Sequence, residues 1–283
     1  MNGAELFVNE LQQRGVPFIS TLCGHGLDPL YAACQNAGLR LIDVRNEQAA
    51  GYMAEVTGRL TRQVGVCAVS SGIAHVNALT GVMNAHFDGA PMLLITGCGP
   101  TETIGLGHFQ DCDQVNLAAP ICKYAQAVYH PERIPQYIQE AFSAALAGRP
   151  GPVHLTLPLD VQTAEVEPDN LYAIPEPSGP YLSPSSGNPD SVATAAAYLS
   201  RSERPLLVAG SGLHYAQGEA ALADFLDAFP LPVVVPIWDR GAIEQPSDAF
   251  IGVIGAATGG PRLLADADLI LMVGARCDYR FLY

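Results

Sequence analysis

The sequence predicts an α/β protein with a mostly parallel sheet, organised as two successive units. Three observations carry this. Short apolar runs of strand length alternate with helical patterns, as in βαβ units. The 283 residues correspond to about two domains at roughly 150 residues each. The alternation breaks from about residue 162 to 190, where AEVEPDNLYAIPEPSGPYLSPSSGNPD is rich in Pro and Ser and reads as an interdomain linker.

In the first unit, residues 1–165, a helix is expected over 3–14 and a strand over 16–21 (VPFIST). The Gly24-His25-Gly26 turn leads into a helix near 27–37, and LRLIDV at 39–44 reads as a buried strand. A helix follows from about 46 to 61, then the strand VGVCAVS at 64–70. A turn at Ser71-Gly72 feeds a helix near 74–86, and PMLLITG at 91–97 is the next strand. Residues 98–118 read as a polar connection, long enough for a compact domain to suggest a functional loop. A helix near 131–147 and the strand VHLTLP at 153–158 close the unit.

After a linker at 166–189, the second unit, 190–283, begins with a helix at 190–200 and the strand RPLLVAG at 204–210. A helix at 217–229, the strand PVVVP at 232–236, an irregular stretch, a helix near 260–266 and the strand DLILMVGA at 268–275 follow. No solenoid-type repeat occurs. The last strand lies close to Tyr283, which leaves no crossover helix to cover an apolar sheet edge. The second unit therefore reads as incomplete and the chain as a fragment.

Composition narrows the function classes. Hydrophobic residues at 49% and charged residues at 15% describe a core-rich globular chain rather than a disordered one. A net charge of −14 argues against a general binder of nucleic acid or anionic membrane. The seven cysteines are scattered singly, without C-x-x-C, and read as reduced thiols. No signal core or membrane-spanning apolar run is present, so the expected location is cytoplasmic.

The most informative segment is Arg45-Asn46-Glu47-Gln48, which puts an acid in the first turn of a helix directly after a strand. Ligands in open α/β sheets bind at the carboxyl ends of the strands, although such an acid also simply complements the helix dipole. Glu55, farther along, reads as a solvated or capped charge. His25 alone would be a turn histidine satisfied by backbone groups. No G-x-S-x-G elbow supports a serine hydrolase, and no His/Cys/Asp cluster has metal-ligand spacing. Gly210-Ser211-Gly212 follows a strand, but Tyr215 stands where a dinucleotide fingerprint has its third glycine.

Four blocks carry a resemblance: RNEQAAGYMAEVTGRLT, VGVCAVSSGIAHVNALTGVMNAHFDGAPMLLITG, GHFQDCDQVNLAAPICKY and GRPGPVHLTLPLDV. In this order they resemble the pyrimidine-binding domain of thiamine-diphosphate enzymes, in particular the acetolactate synthase, benzaldehyde lyase and 2-hydroxyacyl-CoA lyase group. The likeness covers about residues 3–165. RPLLVAGSGLHYAQGEAALADFL through DLILMVGARCDYR resembles the start of the same family's central domain. The implied fold is a parallel-sheet pyrimidine-binding domain followed by a partial Rossmann-like central domain.

The resemblance implies thiamine diphosphate as cofactor and Glu47 as the catalytic carboxyl that hydrogen-bonds N1′ of its aminopyrimidine. A carboxyl in a partly desolvated cleft can share a proton with that nitrogen. Gly24, His25, Ser71 and Gly72 are implied to border the cofactor, and His25, Phe109 and Gln110 the substrate cleft. Two departures stand out: Asn46 where many relatives have His, and Gly72-Ile73-Ala74 where relatives have Gly-Pro-Gly. Asn84 and His86 read as packing or interface residues. The family's Mg²⁺ is held by a Gly-Asp-Gly motif of a third domain, and none occurs in these 283 residues. Some relatives bind FAD or a CoA nucleotide through the central domain, so the resemblance leaves a nucleotide open here, with FAD the less expected of the cofactors.

The implied activity is a lyase, a decarboxylase or an acetolactate synthase-like carboligase acting on 2-keto acids or 2-hydroxyacyl compounds. The complete protein is expected as a homodimer or homotetramer. The alternative is a non-catalytic truncated chain, or one subunit of a split enzyme, that binds a partner or a nucleotide.

Overall fold

Asn2 starts the fold with a reciprocal cap. Its Oδ1 accepts from the Glu5 amide while the Glu5 carboxylate accepts from the Asn2 amide. The computed structural model describes residues 1–172, 186–239, 243, 247–255 and 263–281. It divides into two compact units, Met1–Tyr181 and Leu182–Tyr283.

The first unit runs α1 (Gly3–Gln13), β1 (Phe18–Leu22), α2 (Asp28–Ala37), β2 (Arg40–Asp43), α3 (Glu47–Thr61), β3 (Gly65–Val69), α4 (Ile73–Asp88) and β4 (Met92–Cys98). It continues with α5 (Gln114–Ala118), β5 (Tyr124–Ala127), α6 (Ile134–Leu146), β6 (Pro152–Pro158) and α7 (Leu159–Thr163). The six strands are all parallel, in the order β2-β1-β3-β4-β6-β5.

Both faces of this sheet are covered. Along β4, Leu93 and Ile95 enter one core cluster with α1, α2 and α6, while Met92 and Leu94 enter the other with α3 and α4. The two-residue alternation of a strand explains this split, and double-sided burial explains why the central strands are continuous apolar runs.

The second unit runs α8 (Pro189–Leu199), β7 (Pro205–Ala209), α9 (Ser211–Tyr215), α10 (Glu219–Ala228), β8 (Val233–Pro236), β9 (Phe250–Ile254), α11 (Leu263–Asp266) and β10 (Leu269–Val273). Its four strands are parallel in the order β10-β7-β8-β9.

Several expectations need correction. The 39–44 strand is not buried: β2 is the outer strand of its sheet, and its four residues are exposed or half-buried. The 98–118 connection is not wholly irregular, because Asp113 caps α5 through its side chain. Strand β5 and helices α7 and α9 were not anticipated, nor was β9, which lies in the stretch expected to be irregular. Glu55 is not solvated: it is 1% exposed between α3 and α4, against Arg59, which also pairs with Asp88. Burial pushes its carboxyl above the usual range. The pattern does not break at 162 either, since Gln162 lies in α7 and is fully buried. Residues 173–185 of the expected linker and 260–262 of the expected helix lie outside the described residues.

Candidate cofactor site at the carboxyl edge of the first sheet

The loops and helix starts at the carboxyl ends of the parallel strands carry the predicted site residues Gly24, His25, Glu47, Ser71, Gly72, Phe109 and Gln110. Glu47 is the first residue of α3, which begins where Asn46 Oδ1 accepts from the Gln48 amide at 2.8 Å. Its half-buried carboxylate accepts a hydrogen bond at 3.0 Å from Nδ2 of Asn77, one turn into α4. That bond is made by Oε2, and Oε1 makes none among the described residues.

The loops after β1, β3 and β4 converge at the start of α4. Ser70 Oγ donates to the His25 carbonyl at 2.7 Å, tying the first loop to the second. A side chain at Gly24 would meet Ser70 Cβ at 2.8 Å, so the close approach requires glycine. Gln162 supports the same loop from below, donating to the carbonyls of Gly26 at 2.6 Å and Leu157 at 2.9 Å. The rings of His25 and Phe109 meet edge to face at 5.4 Å, and His108 stacks on His25 at 6.1 Å. Ser71 Oγ donates to Gln110 Oε1 at 3.4 Å.

The predicted residues thus fall into two groups joined by α4. His25, Phe109, Gln110, Ser71 and Gly72 form a cluster at its start; Glu47 and Asn77 sit about 7 Å further along at 1.5 Å rise per residue. Among the described residues no hydrogen bond joins Glu47 to the cluster. A cavity of about 520 Å³ is lined by the 108–112 loop. Cys98, Tyr129 and Thr156 line it with Phe109 and Gln110, while Glu47 and His25 lie outside its lining.

Three further residues were not anticipated. Gln114, 3% exposed, accepts from the Gly72 amide at 3.2 Å and donates to the Gly97 carbonyl at 3.0 Å, pinning the turn to β4. His75, in the first turn of α4, lies with its ring centroid 4.8 Å from that of His154 on β6. Both are fully buried. His154 Nε2 contacts Thr96 Oγ1 at 2.8 Å. Desolvation holds His75 down at about 4 and His154 well below the usual imidazole range, so both are neutral near pH 7.

The residues present fit the aminopyrimidine half of thiamine. A half-buried carboxylate, one of whose oxygens has no hydrogen-bond partner among the described residues, suits a ring nitrogen. Among the described residues no group of three or more His, Cys, Asp or Glu side chains is placed to hold a metal ion. No helix, among the described residues, is long and apolar enough to cross a membrane.

A doubly covered parallel sheet with its polar residues gathered at the carboxyl edge defines an α/β cofactor-binding domain. Residues 1–117 match the model of the thiamine pyrophosphate enzyme N-terminal TPP-binding domain, and residues 192–283 match that of the central domain. The chain belongs to the thiamine pyrophosphate enzyme family. It is 32% identical to the probable acetolactate synthase large subunit of Methanocaldococcus jannaschii, over 99% of this chain and 48% of that protein. It is 33% identical to the acetolactate synthase isozyme 1 large subunit of Escherichia coli K12, over 98% of this chain and 49% of the relative. Oxalyl-CoA decarboxylase of the same organism is 32% identical, with the same two coverages. The chain therefore spans about half the length of these relatives.

Proposed function

We propose that this chain supplies the pyrimidine side of the active site in a thiamine-diphosphate-dependent lyase, decarboxylase or acetolactate synthase-like carboligase. Its substrate class is 2-keto acids or 2-hydroxyacyl compounds. The observation that carries the reading is Glu47: a carboxylate in the first turn of α3, at the ligand edge of the sheet, with Oε1 uncommitted.

When bound, thiamine diphosphate supplies the carbon nucleophile and electron sink needed to make or break a bond beside a carbonyl. Glu47 Oε1 holds and moves a proton at the ring nitrogen N1′, while Oε2 stays anchored. Gly24 and Gly72 let the loops bordering the ring pack closely, Gly24 against Ser70 and Gly72 against Gln110. His25 and Phe109 form an aromatic wall on the substrate side, and the Gln110 carboxamide, braced by Ser71, offers hydrogen bonds to a carbonyl or carboxylate. The Mg²⁺ and diphosphate anchor is assigned to the part of the longer protein that its relatives' lengths imply. The seven free thiols favour a reducing cytoplasm.

Within this reading the enzyme works as a homodimer or homotetramer. The outer face of α3 and α4 supports this, because Leu60, Ile73, Val76 and Phe87 are each more than half exposed, and apolar patches of that kind mark association surfaces. Sedimentation of the full-length protein should give a dimer or tetramer mass; a monomer would contradict it.

The direct test supplies the full-length protein with thiamine diphosphate and Mg²⁺ and offers pyruvate and oxalyl-CoA in parallel. Turnover of either with loss of CO₂ supports the reading and selects the substrate branch. No turnover of any 2-keto acid or acyl-CoA would refute it.

A further inference from the structure

We infer that Asn77 is the positioning residue of the site: it anchors one oxygen of Glu47 so that the other is presented to the cofactor. This rests on the reading of Glu47 given above. The anchoring bond spans two helices, from Asn77 Nδ2 on α4 to Glu47 Oε2 on α3, at 3.0 Å.

The helices are built to hold that bond at fixed length. Gly51 is one turn beyond Glu47 and Gly81 one turn beyond Asn77, so each pair shares a helix face. At Gly51 and Gly81 the backbones touch: an added Cβ on Gly81 would lie 2.4 Å from the Gly51 carbonyl carbon, and one on Gly51 would lie 2.9 Å from the Ala78 oxygen. The two helices follow parallel strands and run the same way. Contact at the glycines therefore sets the two side chains side by side one turn earlier.

A free glutamate at a helix start has three rotatable side-chain bonds and sweeps a wide volume. The amide donor removes that freedom from one oxygen and leaves Oε1 as the oxygen of this carboxylate without a hydrogen-bond partner among the described residues. Asparagine suits the task because its amide nitrogen donates without bringing charge. Aspartate at this position would keep the shape, lose the donor and set an anion against Glu47. The nearby apolar residues Val76 and Ala78 cannot replace the donor.

The test uses the full-length protein loaded with thiamine diphosphate and Mg²⁺, reading deuterium exchange at the cofactor's C2. Asn77→Asp is expected to slow exchange by more than Asn77→Ala, and Asn77→Ala by about tenfold, with substrate KM little changed. In a Glu47→Gln background, Asn77→Asp should add no further loss, because Asn77 acts through Glu47. A purely structural role would lower stability in both backgrounds alike. Full exchange in Asn77→Asp, beside slow exchange in Glu47→Gln, would overturn this inference alone; full exchange in Glu47→Gln itself would overturn the underlying reading.

A second readout needs no cofactor and covers the case in which the Asn77 variants fold poorly. In the ¹⁵N-labelled 283-residue chain, the Asn77 side-chain amide signal should move in Glu47→Gln and stay in place in Glu132→Gln, a distant surface control. An Asn77 signal that ignores Glu47→Gln would overturn the inference.

Discussion

Gly72 lies flat against Gln110: a Cβ on Gly72 would stand 2.7 Å from Gln110 Cβ and 2.8 Å from its carbonyl oxygen. Both residues adopt left-handed backbone, with φ of 59° at Gly72 and 54° at Gln110. The turn that starts α4 and the loop that borders the cavity are thus one packed unit.

Gly72→Ala should therefore act twice, by strain at a positive φ and by collision with Gln110. The expected loss is about 1–3 kcal/mol, read as a lowered urea midpoint at unchanged m-value. An unchanged midpoint would mean that the loop yields without cost.

Gly81→Ala tests the contact between α3 and α4. Alanine is favoured over glycine in a helix by about 1 kcal/mol, so an open site would be stabilised. Overpacking against Gly51 costs about 1–3 kcal/mol, and the 2.4 Å approach puts this site at the upper end. Net destabilisation in thermal melts is expected, together with weaker anchoring of Glu47.

The buried histidine pair makes stability depend on acid. Both folded-state values are depressed by desolvation, His75 to about 4 and His154 well below the usual imidazole range, so the unfolded chain binds protons first as pH falls. Stability is complete above the unfolded value near 6.5 and declines below it, until the folded groups titrate. Between pH 7.5 and 5.5 the loss from His75 should be about 1 kcal/mol, and His154 adds to it in the same direction. His75→Leu should flatten the pH profile of the urea midpoint; an unchanged slope would show that His75 is not the cause.

The legible parts of the fold were those whose burial writes a pattern. β3, β4 and β6 are buried along their whole length apart from Cys98, and each appears in the sequence as a mainly apolar run of strand length, interrupted only by Thr96 in β4 and by His154 and Thr156 in β6. β5, with the sequence YAQA, was missed because only Ala127 is buried. β2 was located but assigned the wrong environment, because Leu41 and Ile42 look like core although the strand lies at the sheet's edge. Glu47 was legible from its place after a strand and from the family blocks around it. Asn77 was not, since it is thirty residues away in sequence and meets Glu47 only through helix packing. Glycines at 51 and 81, inside two helices, were the available signal, because interior helix glycines cost stability unless a close approach requires them. Gln162 was hidden by the Pro- and Ser-rich composition that begins just beyond it.

The central claim is that Glu47 exchanges a proton with the cofactor's ring nitrogen. The most direct measurement is deuterium exchange at C2 of thiamine diphosphate bound to the full-length protein, comparing wild type with Glu47→Gln under saturating cofactor and Mg²⁺. Glutamine keeps the size and an acceptor but cannot carry the proton, so exchange should fall by about 10²–10⁴-fold, the range of general acid–base catalysis. Exchange within twofold of wild type would contradict the account.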